Sequence, residues 1–115
     1  MSEDYAKKRR FPRIPSSNPI MVRRLGPESV TRLTTTRVMG LGGCMFVNKE
    51  SFGKDSLLSL LILVQGHYVD AKARVVYELP KENASFDIGV EFLEISDEDR
   101  GIIQTLFEAN DAPPA

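Results

Sequence analysis

The sequence predicts a small, mainly β fold: an antiparallel barrel of about six short strands, followed by one C-terminal α-helix. Short apolar stretches recur along the chain and are separated by turns rich in Gly and Pro. After residue 95, apolar residues recur at helical spacing instead of at every second position. The 115 residues are enough for one domain with a core of its own and too few for two.

Residues 1–16 are predicted to form a flexible basic arm, because Pro12 and Pro15 exclude a helix interior and keep the backbone extended. The domain itself is expected at 17–109, and 110–115 are expected to be a disordered tail. The six strands share β-favouring composition and turn residues at their ends. They are expected at Asn18–Leu25, Glu28–Met39, Gly43–Asn48, Leu57–Val64, Val69–Tyr77 and Ser85–Ile95.

The two strands in the middle of the chain differ in their pattern. Leu57–Val64 is apolar on both faces, so it is buried on both sides or its outer face meets a helix or a partner. Val69–Tyr77 alternates, which predicts that its odd-numbered residues, Tyr77 included, point inward.

The last element is an amphipathic helix. Ser96 is in an N-cap position, and the three acidic residues after it suit the positive end of the helix dipole. The apolar stripe consists of Ile102, Ile103, Leu106 and Phe107. This stripe is expected either to cap the barrel or to cover the outer face of Leu57–Val64.

The net charge of −1 conceals an asymmetry. Residues 1–37 carry a net charge of +6, and the remainder carries −7. The basic third is suited to an anion, although the two parts would also attract each other within the fold. The single cysteine, the charged N-terminus without an apolar signal sequence and the short longest apolar run are typical of a cytoplasmic protein.

The chain lacks the residue patterns of an enzyme or a metal protein. His67 is isolated in an expected turn, and Cys44 has no base nearby in sequence that would activate a nucleophile. No His/Cys cluster has metal-ligand spacing, and the glycines at 40–43 are followed by a strand instead of the helix of a phosphate-binding loop. We therefore expect no catalytic residue, no metal and no cofactor.

The segment from Lys7 to Arg13 is the strongest candidate for ligand binding. Arginine guanidinium groups bind phosphates in pairs and stack on purine rings. In an extended backbone Arg9 and Arg13 point to the same side, so the arm can close over a ligand with phosphates and guanine bases. The alternative is a basic tail that contacts nothing, or that binds RNA weakly and without specificity.

The order of these parts resembles the PilZ domain family over about Lys7 to Phe107. Arg9-Arg10-Phe11-Pro12-Arg13 is similar to the arginine motif of the family, and Gly89-Val90-Glu91-Phe92 with Ser96–Arg100 is similar to its last strand and terminal helix. The resemblance implies a six-stranded barrel that binds cyclic di-GMP, a bacterial second messenger. It implies a ligand site at Arg9, Arg10, Arg13, Gly40, Gly42 and Gly43.

The second motif of the family, (D/N)-x-S-x-x-G, is incomplete here. Aligned on its last glycine it falls on 38–43, where Val38 replaces the acid or amide and Gly40 replaces the serine. Each lost hydrogen bond would cost about 0.5–1.5 kcal/mol, which weakens binding without necessarily abolishing it.

Two functions are therefore open. The first is a signal-transduction receptor or adaptor, in which the arm changes conformation on binding cyclic di-GMP and signals to an unidentified protein effector. The second is a degenerate PilZ domain that binds no nucleotide and acts as a protein–protein interaction module, for example in motility or pilus regulation. A specific nucleic acid partner is not expected, because the strands carry no aromatic stacking platform: Tyr68 and Phe86 are isolated.

Overall fold

The structure is a computed structural model that describes residues 13–27 and 30–111. It contains seven strands and one helix: β1 (Arg13–Pro15), β2 (Pro19–Arg24), β3 (Thr31–Gly40), β4 (Gly43–Asn48), β5 (Leu57–Val64), β6 (His67–Pro80), β7 (Phe86–Ile95) and α1 (Asp97–Asp111). The expected strands are all present: Gly43–Asn48 and Leu57–Val64 have the expected ends, and the ends of the other strands differ by at most three residues. The additional strand, β1, takes up three residues of the predicted arm.

The strands form one closed antiparallel sheet. Neighbouring strands follow the order β3-β2-β5-β6-β7-β4, and β4 pairs with β3 to close the ring of six. β1 pairs with the end of β3, beyond the part that pairs with β2. The predicted fold, a six-stranded barrel with a C-terminal helix, is confirmed.

The core fills the inside of this barrel. Alternate residues of each strand point inward, so β5 contributes Leu58, Leu60, Ile62 and Val64, all buried. Ile103 and Phe107 of α1 belong to the same buried cluster as these inward residues. The helix therefore caps the barrel, which is the first of the two arrangements that the sequence left open.

Local sequence explains the connections that orient the site. Gln65 and Gly66 both have positive φ angles, 49° and 84°, as a two-residue turn of type I′ between β5 and β6 requires. At the start of α1, the Ser96 hydroxyl accepts a hydrogen bond from the Asp99 amide at 3.0 Å, so the predicted N-cap is present. The Asp99 carboxylate accepts from the Asp70 amide at 3.0 Å, which fixes the first turn of α1 to β6.

A bulge in β6 changes the direction of one predicted inward side chain. The register between β6 and β7 shifts between Val75 and Tyr77. Val75 is buried as predicted, but Tyr77 is only half-buried and lies on the outer surface opposite Gly89. The prediction that Tyr77 continues the inward row was wrong, because the extra residue of a bulge reverses the alternation after it.

Candidate functional site

A cavity of about 660 Å³ lies on the outer surface of the barrel, across β3, β4, β7 and β6. Its volume is in the range of small-molecule sites. β1 borders it on one side and the start of α1 on another. Its walls are formed by Arg13, Val38, Gly40, Gly42, Gly43, Cys44, Met45, Arg74, Val76, Tyr77, Gly89, Val90, Glu91, Phe92 and Arg100.

Strand pairing places Arg13 directly beside the glycine-containing turn. In the β1–β3 ladder Arg13 is the pairing partner of Gly40. Ile14, the next residue, packs against the core, and the Ser16 amide donates to the Arg37 carbonyl at 2.9 Å. These contacts hold the backbone of β1, while the exposed side chain of Arg13 stays available at the rim of the cavity.

A partly buried polar cluster of Ser16, Asn18 and Thr36 fixes the corner between β1 and β2. Thr36 is fully buried, and its hydroxyl is 2.5 Å from the Ser16 hydroxyl and accepts from the Asn18 amide at 2.9 Å. The Asn18 side chain donates to the Leu63 carbonyl at 3.0 Å. Buried polar groups with their hydrogen bonds made are costly to disrupt. The cluster therefore determines where the chain leaves β1 and turns into β2.

Two glycines form the floor of the cavity. A Cβ atom on Gly43 would lie 2.1 Å from the Val90 carbonyl oxygen, so β4 can approach β7 this closely only without a side chain. A Cβ atom on Gly89 would lie 2.0 Å from Cε2 of Tyr77, because the tyrosine ring crosses over that glycine. Both glycines thus have a packing role, and they leave the surface between Arg13 and Tyr77 open.

The wall opposite β1 is charged. Arg74 and Glu91 are cross-strand partners on β6 and β7, and the Arg74 Nε is 3.0 Å from the Glu91 carboxylate. A second guanidinium nitrogen of Arg74 is 3.5 Å from Asp55. Arg100, in the first turn of α1, is exposed and completes this wall.

The two weakly acidic groups of the cavity remain protonated at neutral pH. Burial raises the pKa of the Cys44 thiol to about 12. Burial also raises the pKa of Tyr77, and the positive charge of Arg13 opposes this shift in part. Neither group therefore adds a negative charge that would repel an anion. The charged residues that line the cavity are three arginines, Arg13, Arg74 and Arg100, and one acid, Glu91.

The structure brings together four of the six predicted site residues. Arg13, Gly40, Gly42 and Gly43 all line the cavity. Arg9 and Arg10 lie outside the described residues. Sequence reasoning missed Arg74, Tyr77, Glu91 and Arg100, because only the cross-strand register and the β6 bulge show that they face the same cavity.

The structure also shows the surroundings of His67 and Cys44, the two residues for which the sequence predicts no catalytic role. His67 is exposed at the start of β6, and Cys44 is buried beneath the cavity. Within 13–27 and 30–111, no group of three or more His, Cys, Asp or Glu residues is arranged to hold a metal ion. In the same part of the chain, no helix combines the length and the apolar composition needed to cross a membrane.

Similar folds occur among solved structures. The inhibitor of motility MotI/DgrA of Bacillus subtilis matches with a TM-score of 0.71 and 18% identity, over 91% of this chain and 53% of that one. The K. pneumonia MrkH–c-di-GMP complex matches with a TM-score of 0.70 and 16% identity, over 89% and 51%. The PilZ domain of Escherichia coli YcgR with c-di-GMP matches with a TM-score of 0.63 and 13% identity, over 91% and 99%.

These likenesses are at low identity and concern the fold. The chain spans about half the length of MotI and MrkH and nearly all of the isolated YcgR domain. No curated relative matches it in sequence. The family model of the PilZ domain matches residues 7–109, which is most of the chain. This chain therefore belongs to the PilZ domain family.

Proposed function

We propose that this chain is a cytoplasmic, bacterial receptor or adaptor that binds cyclic di-GMP and signals to a protein effector. The observation that carries the proposal is the pairing of Arg13 with Gly40 at the rim of the cavity. This pairing places Arg13, the last residue of the arginine motif, beside Gly40, which lies in the incomplete second motif. Two solved structures of similar fold, MrkH and the YcgR domain, contain c-di-GMP.

The charge of the cavity suits such a ligand. Cyclic di-GMP has two phosphates and two guanine bases, and arginine binds phosphates through charge-assisted, often bidentate hydrogen bonds. Arg13 would supply one such contact from the rim. Arg9 and Arg10 precede it in the chain, and in our proposal they close over the ligand from the arm. The ordered arm then presents a new surface to the effector.

Calorimetric titration with cyclic di-GMP tests this proposal. Loss of one charge-assisted contact costs about 1.5–3 kcal/mol, so Arg9→Ala and Arg13→Ala should each weaken binding by roughly tenfold to a hundredfold. Arg32→Ala is the matched control, since Arg32 forms an exposed ion pair with Glu50 and is absent from the cavity walls. No heat from the native chain at high micromolar nucleotide would refute the receptor function.

A second function is favoured by specific observations. Val38 and Gly40 line the cavity without the polar groups of the second motif. On another face, Leu33 and Met21 are cross-strand partners whose side chains are 76% and 41% exposed. In a degenerate PilZ domain, this pair of adjoining exposed apolar side chains would be the start of a protein-binding surface. A degenerate PilZ domain would use this surface as an interaction module without nucleotide.

Co-precipitation from cells that produce the native chain or Leu33→Glu separates the two functions. An interaction module predicts a partner that the native chain retains without nucleotide and that Leu33→Glu loses. A receptor predicts that retention of the effector depends on cyclic di-GMP. If neither variant retains any protein, with or without nucleotide, the interaction-module function is wrong.

A further inference from the structure

The second wall of the cavity contains an arginine that the family motifs do not include. Arg100 is the fourth residue of α1, and it lines the cavity together with Arg13 and Arg74. Arg13 comes from the N-terminal end of the described chain and Arg100 from its last element. The two guanidinium groups therefore border the cavity from independent parts of the fold.

Arg100 differs from Arg74 in its ion pairing. Arg74 is held by Glu91 and Asp55, whereas no carboxylate in the described part of the chain lies within 4.0 Å of the Arg100 guanidinium. Asp99, the adjacent acid, is engaged with the Asp70 amide on β6. The charge of Arg100 is thus not compensated by an ion pair with a described residue.

Helix stability does not account for a cation at this position. The first turn of a helix favours negative charge, and the neighbouring Asp97, Glu98 and Asp99 follow that rule. Arg100 goes against it: its backbone amide donates to the Ser96 carbonyl, but its exposed guanidinium group makes no hydrogen bond to a described residue. An anion in the cavity would compensate this charge.

We propose that Arg100 binds a phosphate of cyclic di-GMP from the side opposite Arg13. This inference rests on the proposed function and assigns a further ligand-binding residue to the same site. The bound nucleotide would then bridge β1 and α1, with one phosphate held from each side. The contact from α1 is charge-assisted, so it offsets part of the affinity lost with the polar groups missing at Val38 and Gly40.

The test is calorimetric titration of the native chain, Arg100→Ala, Arg100→Lys and the control Arg32→Ala with cyclic di-GMP. Arg100→Ala should raise Kd about tenfold or more, Arg100→Lys should restore part of the affinity because it keeps the charge, and Arg32→Ala should leave Kd unchanged. The thermal unfolding midpoint of each protein without nucleotide is measured alongside. An exposed arginine that opposes the helix dipole predicts a midpoint for Arg100→Ala equal to that of the native chain or slightly above it.

The outcomes distinguish this inference from the function on which it depends. Suppose that the native chain binds cyclic di-GMP and that Arg13→Ala weakens this binding but Arg100→Ala does not. The proposed role of Arg100 is then wrong, and the receptor function stands. If the native chain does not bind, both are wrong. If Arg100→Ala lowers both the affinity and the unfolding midpoint, and Arg100→Lys recovers neither, then Arg100 has a structural role and does not contact the ligand.

Discussion

Gly43 was predicted as a ligand-binding residue, and the structure gives it a packing role that can be tested without any ligand. Alanine at this position would place a methyl group 2.1 Å from the Val90 carbonyl oxygen and 3.1 Å from the Glu91 Cα. Both obstacles are backbone atoms, so no side-chain rotation relieves the overlap. The substitution must move β4 away from β7.

The size of the effect follows from the distances. An ordinary contact begins near 3.4 Å, so the strands must separate by about 1.3 Å at this point. That movement breaks the hydrogen bond from the Phe92 amide to the Gly42 carbonyl, now 2.8 Å long, and disturbs the adjoining ladder. Two backbone hydrogen bonds at about 0.5–1.5 kcal/mol each, with partly buried groups left unpaired, predict a loss of about 2–4 kcal/mol in the free energy of unfolding.

Gly101→Ala is the matched control. A Cβ atom on Gly101 has no neighbour within 4 Å, and the residue lies in α1, so alanine should stabilise the protein by about 0.5–1 kcal/mol. Urea unfolding followed by circular dichroism measures both variants at 25 °C. The two changes should have opposite signs and differ by about 2.5–5 kcal/mol. A Gly43→Ala protein as stable as the parent would refute the close approach of β4 to β7.

Three further predictions concern the surroundings of the cavity. Thr36→Val should lower the free energy of unfolding by about 1–3 kcal/mol because the partly buried Asn18 amide loses its acceptor, the hydroxyl of buried Thr36. Thr35→Val, at an exposed position, serves as control, and equal effects would contradict the role of the cluster. Cys44, with a pKa of about 12, should react slowly with a thiol reagent at pH 8 when folded and rapidly in urea; fast labelling of the folded protein would exclude its burial. Because the unfolded thiol deprotonates first, near its ordinary pKa of 9.0, stability should fall as pH rises from 9 towards 12, and Cys44→Ala should lack this part of the decrease. Gly89→Ala should displace the Tyr77 ring, because a Cβ atom at this position would overlap it. The near-UV circular dichroism of tyrosine should change, and nucleotide binding should weaken several-fold. An unchanged spectrum would argue against the ring lying over Gly89.

The strand pattern was predictable because the barrel is hydrophobic inside and alternates along most strands. Leu57–Val64 was placed to the residue, since its apolar run is bounded by turns on both sides. β1 escaped prediction, because a three-residue strand that ends in Pro15 has no periodicity to detect. Its pairing depends on the Ser16–Asn18–Thr36 cluster, in which Thr36 is 20 residues from Ser16 and 18 from Asn18.

The arginine side of the site was predictable from local sequence, and the opposite wall was not. Arg13 lies in a short motif that can be recognised along the chain. Arg74, Glu91 and Arg100 come together only through the pairing of β6 with β7 and the docking of α1. Tyr77 was assigned to the wrong face because the bulge before it leaves no mark in the alternation of apolar residues.

The pairing of β4 with β7 joins the two halves of the chain, and the cavity lies across that junction. Its first wall comes from residues before 46 and its second from residues after 73. A polypeptide cut in the connection between β4 and β5 would yield two pieces, each with an incomplete recognition surface. A nucleotide bound in the cavity would contact both pieces, so its binding should require that the two pieces reassemble. Nucleotide binding should in turn stabilise the reassembled protein.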